Sequence, residues 1–188
     1  DGALFVAPLG SAADAPRQIT DKGTDTVSWG VAEFVAQEEM HRMTGHWWSP
    51  DDSFIAVARV DDSPVGIVSR AAIGADGTKV FNQRYPKAGT PNAIVDLYVM
   101  RPDGSGKVKV DLGPNRDIYL ARVNWSRDGK TLYVQRQDRL QKHIDRLAAD
   151  PLTGKTRLVF SDTQKNFTNL SDDFQSLAQD TRNIYGAE

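Results

Sequence analysis

No cysteine occurs in these 188 residues. That excludes disulfides, a thiol nucleophile and thiolate metal sites, and it leaves the compartment open. An excess of one charge is also missing. The 23 Lys and Arg face 25 Asp and Glu, for a formal net charge of −2. With both signs interspersed there is no basic face for nucleic acid. No apolar run is long enough to cross a bilayer, so no membrane insertion is expected. No charged-then-apolar leader is read at the start, although a chain that opens on Asp1-Gly2 is open to earlier processing. The three histidines, His41, His46 and His143, stand without ligand spacing. They are expected to be structural, with no metal and no cofactor.

What is present is β signal in short units. Ala3-Leu4-Phe5-Val6-Ala7 is apolar, residues 8–16 are rich in turn formers, and Arg17-Gln18-Ile19-Thr20 starts back. This reads as half a β unit. Trp48-Ser49-Pro50-Asp51-Asp52 and Trp125-Ser126-Arg127-Asp128-Gly129 are each a strand end, a polar turn and a return strand. In both, Ser and Asp are suited to bond the turn backbone, and Gly129 can take a positive φ. The Trp should pack between neighbouring sheets. Leu170-Ser171-Asp172-Asp173-Phe174 is a weaker third copy, 45 positions on from Ser126 to Ser171. That spacing fits a four-stranded propeller blade of roughly 40–45 residues. The 77 positions from Trp48 to Trp125 need an insertion, and residues 76–91 supply one. The fold class is all-β, a partial β-propeller. Residues 1–29 read as a partial blade, 30–46 as a helical insertion, 47–113 as a blade with an inserted loop, 114–161 as a blade and 162–188 as a partial blade. A closed propeller has typically 4–8 blades, so the chain reads as a piece of one. Its exposed sheet edges predict self-association.

Residues 34–42 break the β pattern. They have no alternation, no Gly and no Pro, and they include the helix formers Ala36, Gln37, Glu38, Glu39, Met40 and Arg42. A short helix carrying two adjacent acids, followed by the aromatic pair Trp47-Trp48, is the place to look for chemistry. The pair Trp47-Trp48, with Trp125, is expected to be buried blade core.

Three motifs carry a family resemblance: Gln37-Glu38-Glu39-Met40, then Trp47-Trp48-Ser49-Pro50-Asp51, then Tyr85-Pro86-Lys87-Ala88-Gly89 with Asn92. In this order they resemble the β-propeller domain of dipeptidyl peptidase IV, in the prolyl oligopeptidase group, and residues 34–40 look like its bacterial branch. The resemblance implies a serine exopeptidase that removes N-terminal X-Pro or X-Ala dipeptides. It implies a C-terminal α/β-hydrolase domain with a Ser-Asp-His triad, covered by an eight-bladed propeller. It also implies a homodimeric parent that is periplasmic or secreted in a bacterium. Two propeller glutamates that hold the substrate's free amine match Glu38 and Glu39. Phe167, Asn169 and Leu170 fall near the place where the family presents side chains to the second substrate residue. The arginine that animal members bring from an earlier blade is outside the chain. No G-x-S-x-G nucleophile elbow occurs, and Gly104-Ser105-Gly106 is a turn. The chain alone is expected to be inactive.

The acid pair has a physical task under this reading. A peptide α-amine has a pKa of about 7.7–8.0 and is largely ammonium at neutral pH. Its three N–H donors can be shared between two carboxylates. With the amine fixed, only the second peptide bond reaches the nucleophile. The plain alternative is a solvated acidic patch on a short helix. Arg42, three to four positions on, could bond back to Glu38 or Glu39 and orient the pair, or be an ordinary ion-pair residue. Tyr85-Pro86-Lys87-Ala88-Gly89 reads as an extended structural loop. Two other functions stay open: another propeller peptidase of the same group, or a non-enzymatic propeller that binds proteins.

Overall fold

The computed structural model describes residues 2–8, 15–170, 172, 174–176 and 183–185, the last six as backbone only. In chain order the elements are β1 (Phe5–Val6), β2 (Arg17–Gln18), β3 (Val27–Trp29), α1 (Phe34–Glu38), β4 (His46–Trp48), β5 (Ile55–Asp61), β6 (Ile67–Gly74), β7 (Gly77–Arg84), β8 (Ile94–Met100), β9 (Val108–Lys109), β10 (Ile118–Trp125), β11 (Leu132–Asp138), β12 (His143–Ala149), β13 (Thr156–Thr163), β14 (Phe174–Ser176) and β15 (Asn183–Tyr185). All strand pairs are antiparallel.

The sheets are the blades. β10-β11-β12-β13 is a four-stranded meander. The preceding blade is β5-β8-β9 with an innermost strand made of two pieces. β3 pairs with the Arg59–Asp61 end of β5, and β4 pairs with its Ile55–Val57 end. Residues 30–45 are therefore an excursion from the middle of one strand, with α1 at its tip. Val27–Trp29, read from sequence as the end of a partial blade, hydrogen-bonds to β5 in this same sheet. Two glycines close the base of the excursion. Gly30 sits at φ +74°, and its N–H bonds Ala58 O at 2.9 Å. Gly45 N–H bonds Gly30 O at 3.0 Å, and a Cβ on Gly45 would overlap the Val31 carbonyl.

Alternation along each strand fills the space between blades. Ala56, Ala58 and Val60 of β5, with Val95, Leu97 and Val99 of β8, face Leu120, Val123, Leu132, Val134, Leu147 and Ala149 of the next blade. Ile55, Val57 and Met100 face the other way, onto Ile19, Trp29, Leu4 and Val6. Each blade thus buries its faces only against its neighbours, as a radial repeat must. The two Trp-Ser turns are superimposable in their bonding. Ser49 Oγ donates to Asp51 at 2.7 Å and accepts from Phe54 N at 2.9 Å. Ser126 Oγ donates to Asp128 at 2.7 Å and accepts from Thr131 N at 2.9 Å. Asp52 at φ +57° occupies the place of Gly129 at φ +70°. Trp125 stacks on Phe54 and donates to Trp47 O at 3.0 Å. Trp48, expected in the core, is 40% exposed, because β4 is an edge strand of its sheet among the described residues. The third turn copy falls largely outside the described residues.

The inserted segment also differs from expectation. It is the hairpin β6–β7, residues 67–84, continued by a loop to residue 93, rather than residues 76–91. Both strands are exposed along most of their length, and among the described residues they pair only with each other.

Candidate functional site

Glu33 starts the site. Its carboxylate caps α1, accepting from Val35 N at 2.5 Å and Ala36 N at 2.9 Å. Helices begin with four unsatisfied N–H groups, so an acid here satisfies two of them. Glu33 is 4% exposed, and burial pushes its pKa up against the pull of those bonds and of Arg42. At the other end Glu39 N–H bonds Val35 O and Arg42 N–H bonds Ala36 O, both at 2.9 Å. Met40 is 2% exposed and packs with Val35, Tyr119 and Ala121, which anchors the turn to β10. His41 then takes φ +54°.

Arg42 does not bond back to either glutamate. It turns inward, is 7% exposed, donates to Thr44 O at 2.7 Å and lies over the Trp47 ring at 5.7 Å. Burial lowers its pKa to about 10, with Glu33 opposing and Arg122 adding to the fall. It is placed beneath the acid pair, as a brace for the turn.

Glu38 and Glu39 are both exposed. Glu39 borders two concavities that meet at α1. The smaller, about 650 Å³, brings it together with Arg122, Gln137, Phe167, Asn169 and Leu170. The three residues from the 167–170 segment thus stand around Glu39, while Glu38 and Arg42 line neither concavity. Two bonds hold that segment in place: Thr168 N–H to Gln141 O at 2.8 Å, and Gln137 Nε2 to Thr168 O at 3.1 Å. Arg122 Nε donates to Asp172, and its Nη1 to Ala121 O at 2.9 Å. The larger concavity, about 1010 Å³, adjoins it along Glu39, Arg139, Leu140 and Gln141 and is walled further by Phe34, Tyr85, Asn92 and Tyr119. The 85–89 loop, read as structural, forms part of that wall. Among the described residues no group of His, Asp and Glu could hold a metal ion.

Residues 2–188 match the family model described as the dipeptidyl peptidase IV (DPP IV) N-terminal region. The chain belongs to that family. The DPP IV N-terminal region here is 29% identical over 167 residues to venom dipeptidyl peptidase 4 of Apis mellifera, covering 82% of this chain and 20% of that protein. It is 31% identical over 122 residues to inactive dipeptidyl peptidase 10 of Rattus norvegicus, covering 61% and 15%. The crystal structure of Porphyromonas gingivalis dipeptidyl peptidase 4 superposes with a TM-score of 0.76 at 25% identity, over 88% of this chain and 24% of that one. The chain therefore spans about a fifth of the length of such relatives. Its sheets are part of the DPP IV propeller.

Sequence reasoning missed Glu33, Gln137 and Tyr119. Glu33 carried a signal, an acid just before the helical stretch, which is where a cap belongs. Gln137 carried none, since a polar residue in an alternating strand reads as surface.

Proposed function

We propose that this chain is the substrate-recognition segment of a serine exopeptidase releasing X-Pro or X-Ala dipeptides. Glu38 and Glu39 hold the peptide's terminal ammonium, and catalysis belongs to a hydrolase domain that the 188 residues do not include. The observation that carries this reading is the placement of Glu39. It sits exposed where two concavities meet, on a turn braced from below by Glu33, Met40 and Arg42, with no ion-pair partner among the described residues. A carboxylate kept free and held rigid suits a cation that arrives with the substrate. Phe167, Asn169 and Leu170 then flank the second substrate residue, and Arg42 acts through the turn rather than by contact.

The parent is taken to be a homodimer working in the periplasm or outside the cell, as the family resemblance implies. No helix here is long and apolar enough to cross a membrane. A non-catalytic propeller is the second reading, favoured by the likeness to a relative named as inactive.

The test uses the full-length protein carrying this chain, with Glu38→Gln and Glu39→Gln. On Ala-Pro p-nitroanilide each should lower kcat/KM by at least about 30-fold, in line with about 2–5 kcal/mol for truncating one side of a buried charge pair. N-acetylated substrate should be turned over poorly by every form. Unchanged kinetics in both variants defeats the amine reading, and absence of any hydrolysis in the parent favours the second one.

A further inference from the structure

We propose that Gln137 and Gln141 are positioning residues: from the turn between β11 and β12 they set where the 167–170 segment stands relative to Glu39. This rests on the amine reading above and gives it a second fixed side. β13 ends at Thr163, and residues 164–170 form no regular element, so no sheet ladder places them. Three hydrogen bonds tie them instead to one hairpin end. Gln164 N–H bonds Lys142 O at 2.9 Å, Thr168 N–H bonds Gln141 O at 2.8 Å, and Gln137 Nε2 donates to Thr168 O at 3.1 Å. Both backbone polar groups of Thr168 are therefore held. Thr168 is 1% exposed, while Phe167 and Asn169 on either side of it are exposed and line the smaller concavity. One buried peg thus presents two side chains to the space that Glu39 borders.

Each of the two holding residues carries a cost that packing does not explain. Gln137 is 1% exposed, and its Oε1 has no donor. A buried acceptor left unpaired destabilises a fold. An unbranched apolar side chain would fill the same place without that cost, but it would lack the N–H that meets Thr168 O. Gln141 sits at φ +56°, a region that a residue with a Cβ enters only against steric resistance. The carbonyl that Thr168 uses belongs to this strained residue. The turn keeps it there: Gln141 N–H bonds Asp138 O at 3.0 Å, and Asp138 Oδ1 accepts from Lys142 N and His143 N, both at 2.8 Å. An orphaned acceptor and a strained backbone thus converge on one residue at the rim of the site. Contacts kept at such cost serve position rather than stability.

In the full-length protein Gln137→Met keeps the side chain's length and removes the Nε2 donor. KM on Ala-Pro p-nitroanilide should rise about tenfold, the size of one hydrogen bond. kcat should stay close to the parent's, because the loss is of binding and the chemistry belongs to another domain. Thermal melting should be nearly unchanged, which separates a displaced segment from a damaged blade. Gln141→Gly and Gln141→Val both lose the amide, so the difference between them isolates the backbone. Gly takes φ +56° freely and should stay near the parental KM; Val resists that region and should raise KM as Gln137→Met does. A parental KM in either Gln137→Met or Gln141→Val, an equal rise in the two Gln141 variants, or a loss confined to kcat overturns the inference. Should Gln137→Met melt much lower than the parent, the Gly–Val pair decides alone. The amine reading is judged separately, on Glu38→Gln and Glu39→Gln. If those leave the kinetics unchanged, both ideas fall; if they lower kcat/KM while Gln137→Met and Gln141→Val leave KM alone, only the positioning role falls.

Discussion

Two buried ions sit beneath the exposed glutamates, and they behave oppositely from most acids in the chain. Glu33 is pushed up by burial, so its charge works against the folded state at neutral pH. It persists because its oxygens satisfy two helix N–H groups. Asp145 shows the commoner case. Burial alone would raise it, but Ser161, Arg136 and His143 hydrogen-bond its oxygens and hold it below the usual carboxylate range. The folded carboxyl therefore releases its proton more readily than the unfolded one, whose pKa is about 3.9. Its stabilisation is complete above that value and drains away as pH falls through and below it. Because Glu33 acts with the opposite sign, the informative comparison is between wild type and Asp145→Asn at each pH. Asp145→Asn should lower the propeller's Tm by roughly 2–4 °C at pH 7, the effect of about 1 kcal/mol in a domain of this size. The gap should narrow by pH 3.5. A gap that stays constant with pH would mean that charge at Asp145 contributes nothing.

At the scale of elements, what could be read from the sequence was what is encoded locally. The Trp-Ser-x-Asp turns are closed by side chains two to five positions away, so Ser49, Asp51, Ser126 and Asp128 announced themselves. The helical stretch was legible because residues 34–40 lack both alternation and breakers. What could not be read was pairing. β3 and β4 are three residues each, and only β5 shows that they are two halves of one strand. The hairpin was misplaced because Val68 and Ala72 fall on the face opposite Ile67, Ala71 and Ile73, so the segment shows no apolar–polar alternation. The closure of the excursion is the testable consequence. Gly45 has an ordinary φ and stands in no turn motif, yet any Cβ there meets the Val31 carbonyl. Gly45→Ala must push the two legs apart and carry α1 with them. In the full-length protein this variant should keep its far-UV circular dichroism while kcat/KM on Ala-Pro p-nitroanilide falls at least tenfold, since about 1 Å of misplacement costs that much or more. Full activity would show that the base of the excursion tolerates spreading without moving Glu39.

For the whole molecule, the legible part was the repeat and its incompleteness; the use of the hairpin was not. A two-stranded ribbon standing alone in water is marginal. β6–β7 is eight residues per strand, and its register puts Ile67, Ala71, Ile73 and Val80 on one face. Ile67, Ile73 and Val80 are 62%, 85% and 70% exposed. Among the described residues no blade covers that face, which leaves it open to a partner. A second copy is the natural occupant if the parent is a homodimer, because a two-fold axis lays the same face against itself. The same axis makes a sharp test, since each substitution then enters the interface twice. Ile73→Lys with Val80→Lys would bring four ammonium groups together in an apolar contact, a like-charge arrangement that costs several kcal/mol. Light scattering of the full-length double variant should report a monomer at concentrations where the parent is dimeric. The blades do not depend on the hairpin face, so the propeller should melt where it did before. A dimer that survives both lysines would place the subunit contact elsewhere and leave the hairpin to the hydrolase domain or another protein.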